Sequence, residues 1–258
     1  MKNLSQFHAI ALITFKQLSQ GRLLFNTGAV GMGLILLCLV TTKFTYGVPH
    51  RVALDIGLGL LSLSSTVIAL SLGVGLISKE IESRTIYMVL SRSVARETFL
   101  LGKFAGLIAV MAINILILGT ATLLVFYILG GRIDSLVLWA MFYILLEAEL
   151  ILLITVFFSL FTNKVLTIII TLTMWFLGHA IYDVLDSVYV NSILWLKTLL
   201  EYYVYFFPAF YKINLKDFVL YEQTMPWSYL MSGTAYAVIY SAAIIVFSCV
   251  IFHKKSLD

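Results

Sequence analysis

Charge is what this chain has least of. Asp, Glu, Lys and Arg make up 12% of its 258 residues, about half the roughly 25% of a soluble domain. A globule with 61% hydrophobic residues and a mean hydropathy of +1.02 would expose large apolar patches to water and aggregate, so the chain is a membrane protein. Proline is scarce, at 3 residues against 16 glycines, and no low-complexity linker or repeat divides the chain, so residues 1–258 form one domain. The two cysteines, Cys38 and Cys249, fall near the outer end of the first apolar run and the inner end of the last. That is too far apart for a disulfide, which needs ~4.4–6.8 Å between Cα atoms, and no thiol metal site is implied. Also missing are GxxxxGK[ST], HExxH and GxSxG. Gly102-Lys103 is followed by Phe104 and lacks the upstream glycine of a phosphate loop. Of the four histidines, only His179 shares a helix face with an acid, Asp183, and that is a weak metal pairing. No catalytic site is expected in this chain.

What is present is long apolar runs. Six are long enough to cross a bilayer core, which takes about 20 residues: 23–42, 53–77, 104–129, 135–161, 165–182 and 229–252. They are continuous rather than alternating, so they predict helices, the spanning form that satisfies every backbone group within one segment. The fold class is therefore all-α membrane protein with six transmembrane helices. Six crossings put both termini on one side, together with segment 78–103 and the turn at Lys164. That side carries 11 Lys and Arg residues and the other 6, which places it in the cytoplasm. The net charge of +4 then reflects topology, and no nucleic-acid partner is expected, since no basic patch interleaves with aromatics.

Residues 1–22 do not have the pattern of a cleavable signal. Leu4, Phe7, Ala11, Phe15 and Leu18 recur at helical spacing, opposite Ser5, Lys16 and Ser19. This is an amphipathic helix along the cytoplasmic interface, either a plain anchor or a contact for a partner.

Segment 78–103 reads SKEIESRTIYMVLSRSVARETFLLGK and holds eight charged residues between two apolar runs. Glu80 and Arg84 stand i,i+4 with the acid first, the favourable order. Ile81, Ile86, Met88, Val89 and Leu90 give the stretch 78–90 an apolar side. Ser91-Arg92-Ser93 breaks the pattern, and Ser93 is a candidate N-cap for a helix entering the third span. A long patterned loop, where a few residues would connect the spans, points to function.

Glu82, Thr85, Leu90, Ser91, Arg92, Arg96, Gly102 and Lys103 form the string E-x-x-T-x-x-x-x-L-S-R-x-x-x-R-x-x-x-x-x-G-K. It resembles the cytoplasmic signature of type-2 ABC transporter permeases, the six-span subunits of ATP-binding-cassette exporters. Arg84 stands where that family often has Gly, and Ser93 where it often has Pro. The resemblance implies an amphipathic N-terminal helix, a coupling helix between spans two and three, and short re-entrant helices before the last span, in region 183–228. The basic end Phe252-His253-Lys254-Lys255 also fits. It further implies a permease of the inner (cytoplasmic) membrane, working with two copies of a cytoplasmic ABC ATPase and a second permease copy as homodimer or heterodimer, within membrane lipid. No cofactor is bound by this chain; ATP and Mg belong to the ATPase. The coupling residues are then Glu80, Glu82, Arg84, Thr85, Met88, Leu90, Arg92 and Arg96.

Pathway candidates come from polarity inside the spans. Gly57, Gly59, Ser62, Ser64, Ser65, Thr66, Ser71, Gly73 and Gly75 make the second span rich in small residues, which suits close helix packing as well as a pathway lining, with Ser62 and Ser65 central. Glu147 and Glu149 sit deep in the fourth span, where charge is costly unless paired, protonated or wet. Two residues apart, they point about 200° from one another, so they do not form one carboxylate pair. Each serves gating, substrate handling or structural hydrogen bonding. In the outer segment, Tyr202, Tyr203, Tyr205, Phe206, Phe207, Phe210 and Tyr211 suit an interfacial belt, and in the family's pattern Phe207-Pro208 suits the break in a gate. The alternative reading is a secondary transporter or channel with Glu147 and Glu149 as ion or proton sites. If the coupling reading holds, Arg92→Glu lowers substrate-linked ATPase activity while the permease stays in the membrane, as reconstituted ATPase assays and membrane fractionation will record.

Overall fold

A computed structural model describes residues 2–19, 22–44, 47–82, 95–187, 190, 192–221 and 225–254. Helices account for the regular structure throughout: α1 Lys2–Ser19, α2 Arg22–Lys43, α3 Pro49–Glu82, α4 Arg96–Ile128, α5 Ser135–Ser159, α6 Lys164–Asp186, α7 Leu194–Phe206, a 3₁₀ turn at Phe210–Ile213, α8 Lys216–Leu220 and α9 Trp227–Lys254. Among the described residues, five helices are long and apolar enough to cross a membrane: α3 over Pro49–Gly75, and α4, α5, α6 and α9 in full. The expected first span falls in α2, whose described apolar part, Thr27–Lys43, is shorter than these five.

Local chemistry sets the ends. Asn163 caps α6, its Oδ1 accepting from the Leu166 N–H at 2.9 Å, as a short polar side chain at an N-cap does. α4 stops at Leu129, and Gly130 follows at φ +89°, the left-handed position that glycine fills without strain. α3 starts four residues before the expected second span and runs five beyond it, to Glu82. The expected separate helix over 78–90 is thus, as far as it is described, the end of the second span. α4 begins at Arg96 with Ala95 at the N-cap and no side-chain cap; Ser93, the expected cap, lies outside the described residues.

α5 is the hub. Over its most apolar window 72% is buried, against 28% for α6 and 22% for α9, so α5 fills the middle and the other two turn apolar surface outward. Ile151, Leu152, Leu153 and Val156 are buried all round, and α5 packs on α3, α4, α6 and α9.

α1 lies against α4 along much of its length. Its buried side runs through Phe7, Ile10, Ala11, Thr14 and Leu18, while Leu4 is 69% exposed. The stripe is therefore rotated from the expected one: Ile10 and Thr14 enter it and Leu4 leaves. The reason is a notch. Gly102 and Gly106 stand one turn apart on α4, and a Cβ at Gly106 would come within 2.8 Å of the Ala11 carbonyl and 2.7 Å of Thr14 Cβ. The α1 backbone rests directly on bare α4 backbone, the close approach small residues allow in lipid.

Gly106→Ala therefore forces the two helices apart. The expected cost is about 1–3 kcal/mol, the usual penalty of overpacking, read as a lower unfolding midpoint of the detergent-solubilised protein.

Candidate functional site

The segment between α6 and α9 folds into a hairpin. α7 runs down to Phe206; Phe207 is extended at φ −112°, ψ 156°, as the residue before a proline must be; the chain reverses through Pro208 and Ala209 and returns through the 3₁₀ turn and α8. Its tip is deep. Tyr240, which touches it, stands about 20 Å along α9 from Trp227 at 1.5 Å per residue. Backbone groups freed by the turn are met by tyrosines of α9: the Ala209 N–H donates to Tyr236 Oη at 2.8 Å, and Tyr240 Oη donates to the Phe206 carbonyl at 3.0 Å. Tyr203 packs on Phe207, ring centroids 4.8 Å apart.

The rising limb is keyed into α6. Gly178 faces the Pro208 carbonyl and the Phe210 ring, each 2.5 Å from where a Cβ would stand. Phe210 is buried and stacks on His179, centroids 5.8 Å apart at 17°. His179 Nε2 in turn lies 2.9 Å from Glu147 Oε1, which also accepts from Trp175 Nε1 at 2.8 Å. Glu147 is 2% exposed. A buried carboxyl is tolerated because an imidazole and an indole N–H engage it. This chain of contacts joins α5, α6 and the hairpin. His179 thus pairs with Glu147 across helices rather than with Asp183 along its own, and among the described residues no group of three His, Cys, Asp or Glu is placed to hold a metal.

The other pathway candidates spread out. Glu149 is half-buried and has no hydrogen-bond or ion-pair partner among the described residues. Ser62 and Ser65 are 3% and 1% exposed, inside the packing of α3, and Ser65 Oγ donates to its own helix at the Leu61 carbonyl, 2.6 Å away. The open side of α3 is instead the i,i+4 stripe Asp55, Gly59, Leu63, Val67 and Ser71. Phe207 lines an apolar cavity of about 270 Å³ beneath the hairpin tip, with Ile154, Phe158, Met174 and Phe247; Pro208 places its carbonyl on Gly178.

Of the coupling candidates, Arg84, Thr85, Met88, Leu90 and Arg92 lie outside the described residues, as do the side chains of Glu80 and Glu82 at the end of α3. Arg96 opens α4 and donates from Nη1 to the His253 carbonyl at 3.1 Å, tying the first turn of α4 to the last turn of α9. Lys103 is 8% exposed, with Nζ 5.6 Å from the Phe99 ring centre. The residues that sequence reasoning missed are Trp175, Tyr236 and Tyr240. The i,i+4 spacing of the two tyrosines was a visible signal, but their partners, 27 and 34 residues away, carry no matching pattern.

Residues 4–257 match the family model described as ABC-2 family transporter protein. A search of the curated proteins found no match.

Glu147→Leu leaves the Trp175 N–H and His179 without their buried acceptor. An expected loss of about 1–3 kcal/mol follows, measured by denaturant unfolding in detergent, with Glu147→Gln milder because its amide oxygen still accepts from Trp175.

Proposed function

The chain belongs to the ABC-2 family of transporter proteins, and from that premise we propose that it is the permease of an ABC exporter, driven by ATP hydrolysis in a separate ATPase subunit. The observation that carries this reading is the extent of the match, residues 4–257, which takes in the N-terminal helix, the charged loop, the hairpin and the last span together. Membrane transport is the family's role, and the ABC ATPase is the partner the family implies. Cytoplasmic termini are proposed here from the 11-to-6 excess of basic residues on one side, six crossings from the lengths of the six apolar runs, and export and the inner membrane from the resemblance to exporter permeases. Two ATPase copies and a second permease chain, alike or different, complete the assembly.

In this reading segment 78–103 docks on the ATPase, with Arg92 and Arg96 facing carboxylates and Met88, Val89 and Leu90 filling a groove. Motion of the ATPase reaches α4 as a rigid-body shift. The hairpin around Phe207-Pro208 is the outer gate, re-entrant from the outer face and braced against α6 by the Glu147–His179–Phe210 contacts. The cargo crosses beside this gate.

One observation favours a second reading. Glu149 is an unpartnered, half-buried carboxyl within a span, which suits an ion or proton site in a secondary transporter or channel. Glu147 suits that role less, since its Oε1 is already engaged by Trp175 and His179.

Affinity purification of the tagged chain from its own membranes decides between them. A soluble ATPase is expected to co-purify, and transport in vesicles is expected to stop when ATP is withheld. Transport that persists without ATP and without an associated ATPase would overturn the exporter reading.

A further inference from the structure

Where α4 begins and α9 ends, the two helices leave a groove of about 460 Å³. Its walls are apolar: Leu101 from α4, and Ile245, Val246 and Val250 from α9. Leu101, Val246 and Val250 are 38%, 60% and 48% exposed, so none of the described residues covers them. The rim is charged and mixed in sign, with Glu97 on one helix and His253 and Lys254 on the other. From Lys254 down to Ile245 the groove runs roughly 13 Å along the helix at 1.5 Å per residue. That is close to the hydrocarbon thickness of one leaflet, about half of ~30 Å. An apolar slot one leaflet deep, opening at a charged rim, has the dimensions of a lipid rather than of a helix that crosses the whole bilayer.

The rim narrows the headgroup. Lys254 offers an ammonium and Glu97 a carboxylate on the same mouth. A purely anionic headgroup satisfies the first and is repelled by the second. Phosphatidylcholine carries both charges, but its quaternary ammonium has no N–H to donate. A headgroup with a phosphodiester, a primary ammonium and no further acid meets both, the ammonium donating charge-assisted hydrogen bonds to Glu97; a serine headgroup adds a carboxylate that Glu97 repels. Glu97 also lies 3.6 Å from His253 Nδ1, yet the two side chains stay 59% and 67% exposed, so the carboxylate keeps open lone pairs. Arg96 Nη1 donates to the His253 carbonyl at 3.1 Å and bridges the two helices at the mouth.

We propose that the α4–α9 groove binds one phosphatidylethanolamine, its acyl chain along Leu101, Val246 and Val250 and its headgroup between Glu97 and Lys254. Only the leaflet concerned, the cytoplasmic one, rests on the orientation proposed above. The site adjoins the residues that follow the 83–94 loop, so bound lipid packs against the helix that receives the coupling motion.

The test uses the full chain in detergent, without ATPase or nucleotide, so it is independent of whether the exporter reading holds. Phosphatidylethanolamine, phosphatidylcholine and phosphatidylglycerol with identical acyl chains are offered in equal amounts, and the lipid retained is read by native mass spectrometry. Phosphatidylethanolamine is expected to be retained over the other two, with its advantage falling roughly fivefold in Glu97→Gln, the order of one exposed charge-assisted hydrogen bond. Val246→Trp, which blocks the groove midway, is expected to abolish retention of all three. Glu97 is exposed, so Glu97→Gln keeps the selectivity readout available even where Val246→Trp fails to fold. Equal retention of the three lipids, a preference for phosphatidylglycerol, or unchanged selectivity in Glu97→Gln overturns the proposal. So does efficient cross-linking between two copies through Cys249 in a Cys38→Ser chain, because a second copy would then cover the groove.

Discussion

A backbone that turns back within hydrocarbon must find partners for its N–H and C=O groups inside the protein, because the surroundings supply none and each orphan costs several kcal/mol. In the proposed re-entrant placement the hairpin between α6 and α9 lives under this constraint. Proline breaks the helix at Pro208 and itself lacks an N–H, which removes one donor from the problem. Two of the groups left at the turn, the Phe206 carbonyl and the Ala209 N–H, fall to Tyr240 and Tyr236. A tyrosine suits the task because its ring is at home in lipid while its hydroxyl both donates and accepts. The same solution recurs where Tyr143 of α5 donates to the Leu230 carbonyl of α9 at 2.7 Å. The architecture near the tip follows from these few hydroxyls.

Many polar groups inside the bundle are spent either on joining elements or on their own helix. Glu147 spends its Oε1 on two residues of α6; Asn114 of α4 accepts from Thr27 of α2 and donates from Nδ2 to its own Val110 carbonyl; Ser64 and Ser65 return their hydroxyls to their own helix. Glu149 stands apart on the opposite side of α5, as the 200° separation of positions two apart requires, and among the described residues the hydroxyls of Thr14, Thr171 and Ser248 are buried without a hydrogen-bond partner.

The helices were legible because hydrophobic length is a local property. The deep acids stood out for the same reason, since a carboxyl within twenty apolar residues is rare whatever surrounds it. The break at Phe207-Pro208 was legible because proline acts on its own backbone and on its neighbour's. What escaped were pairings between distant positions. His179 has an acid four residues on, in Asp183, and a better one in Glu147 that is 32 residues away; only the packing of α5 on α6 chooses between them. Ser62 and Ser65 looked like a polar lining, yet a helix as long as α3 has several faces, and composition does not say which one its neighbours cover. The α1 stripe was displaced by Gly102 and Gly106, which belong to another helix and lie about 90 residues later in the chain.

The bond from Arg96 to the His253 carbonyl has a mechanical meaning. It clamps the foot of α4 to the foot of α9, and α9 is the strut whose Tyr236 and Tyr240 grip the hairpin tip. The start of α4 is thereby linked to the hairpin tip through α9 alone, like a tie-rod that bypasses the central helix. In the proposed exporter such a linkage would carry a displacement of α4 to the gate without any rearrangement of the buried core.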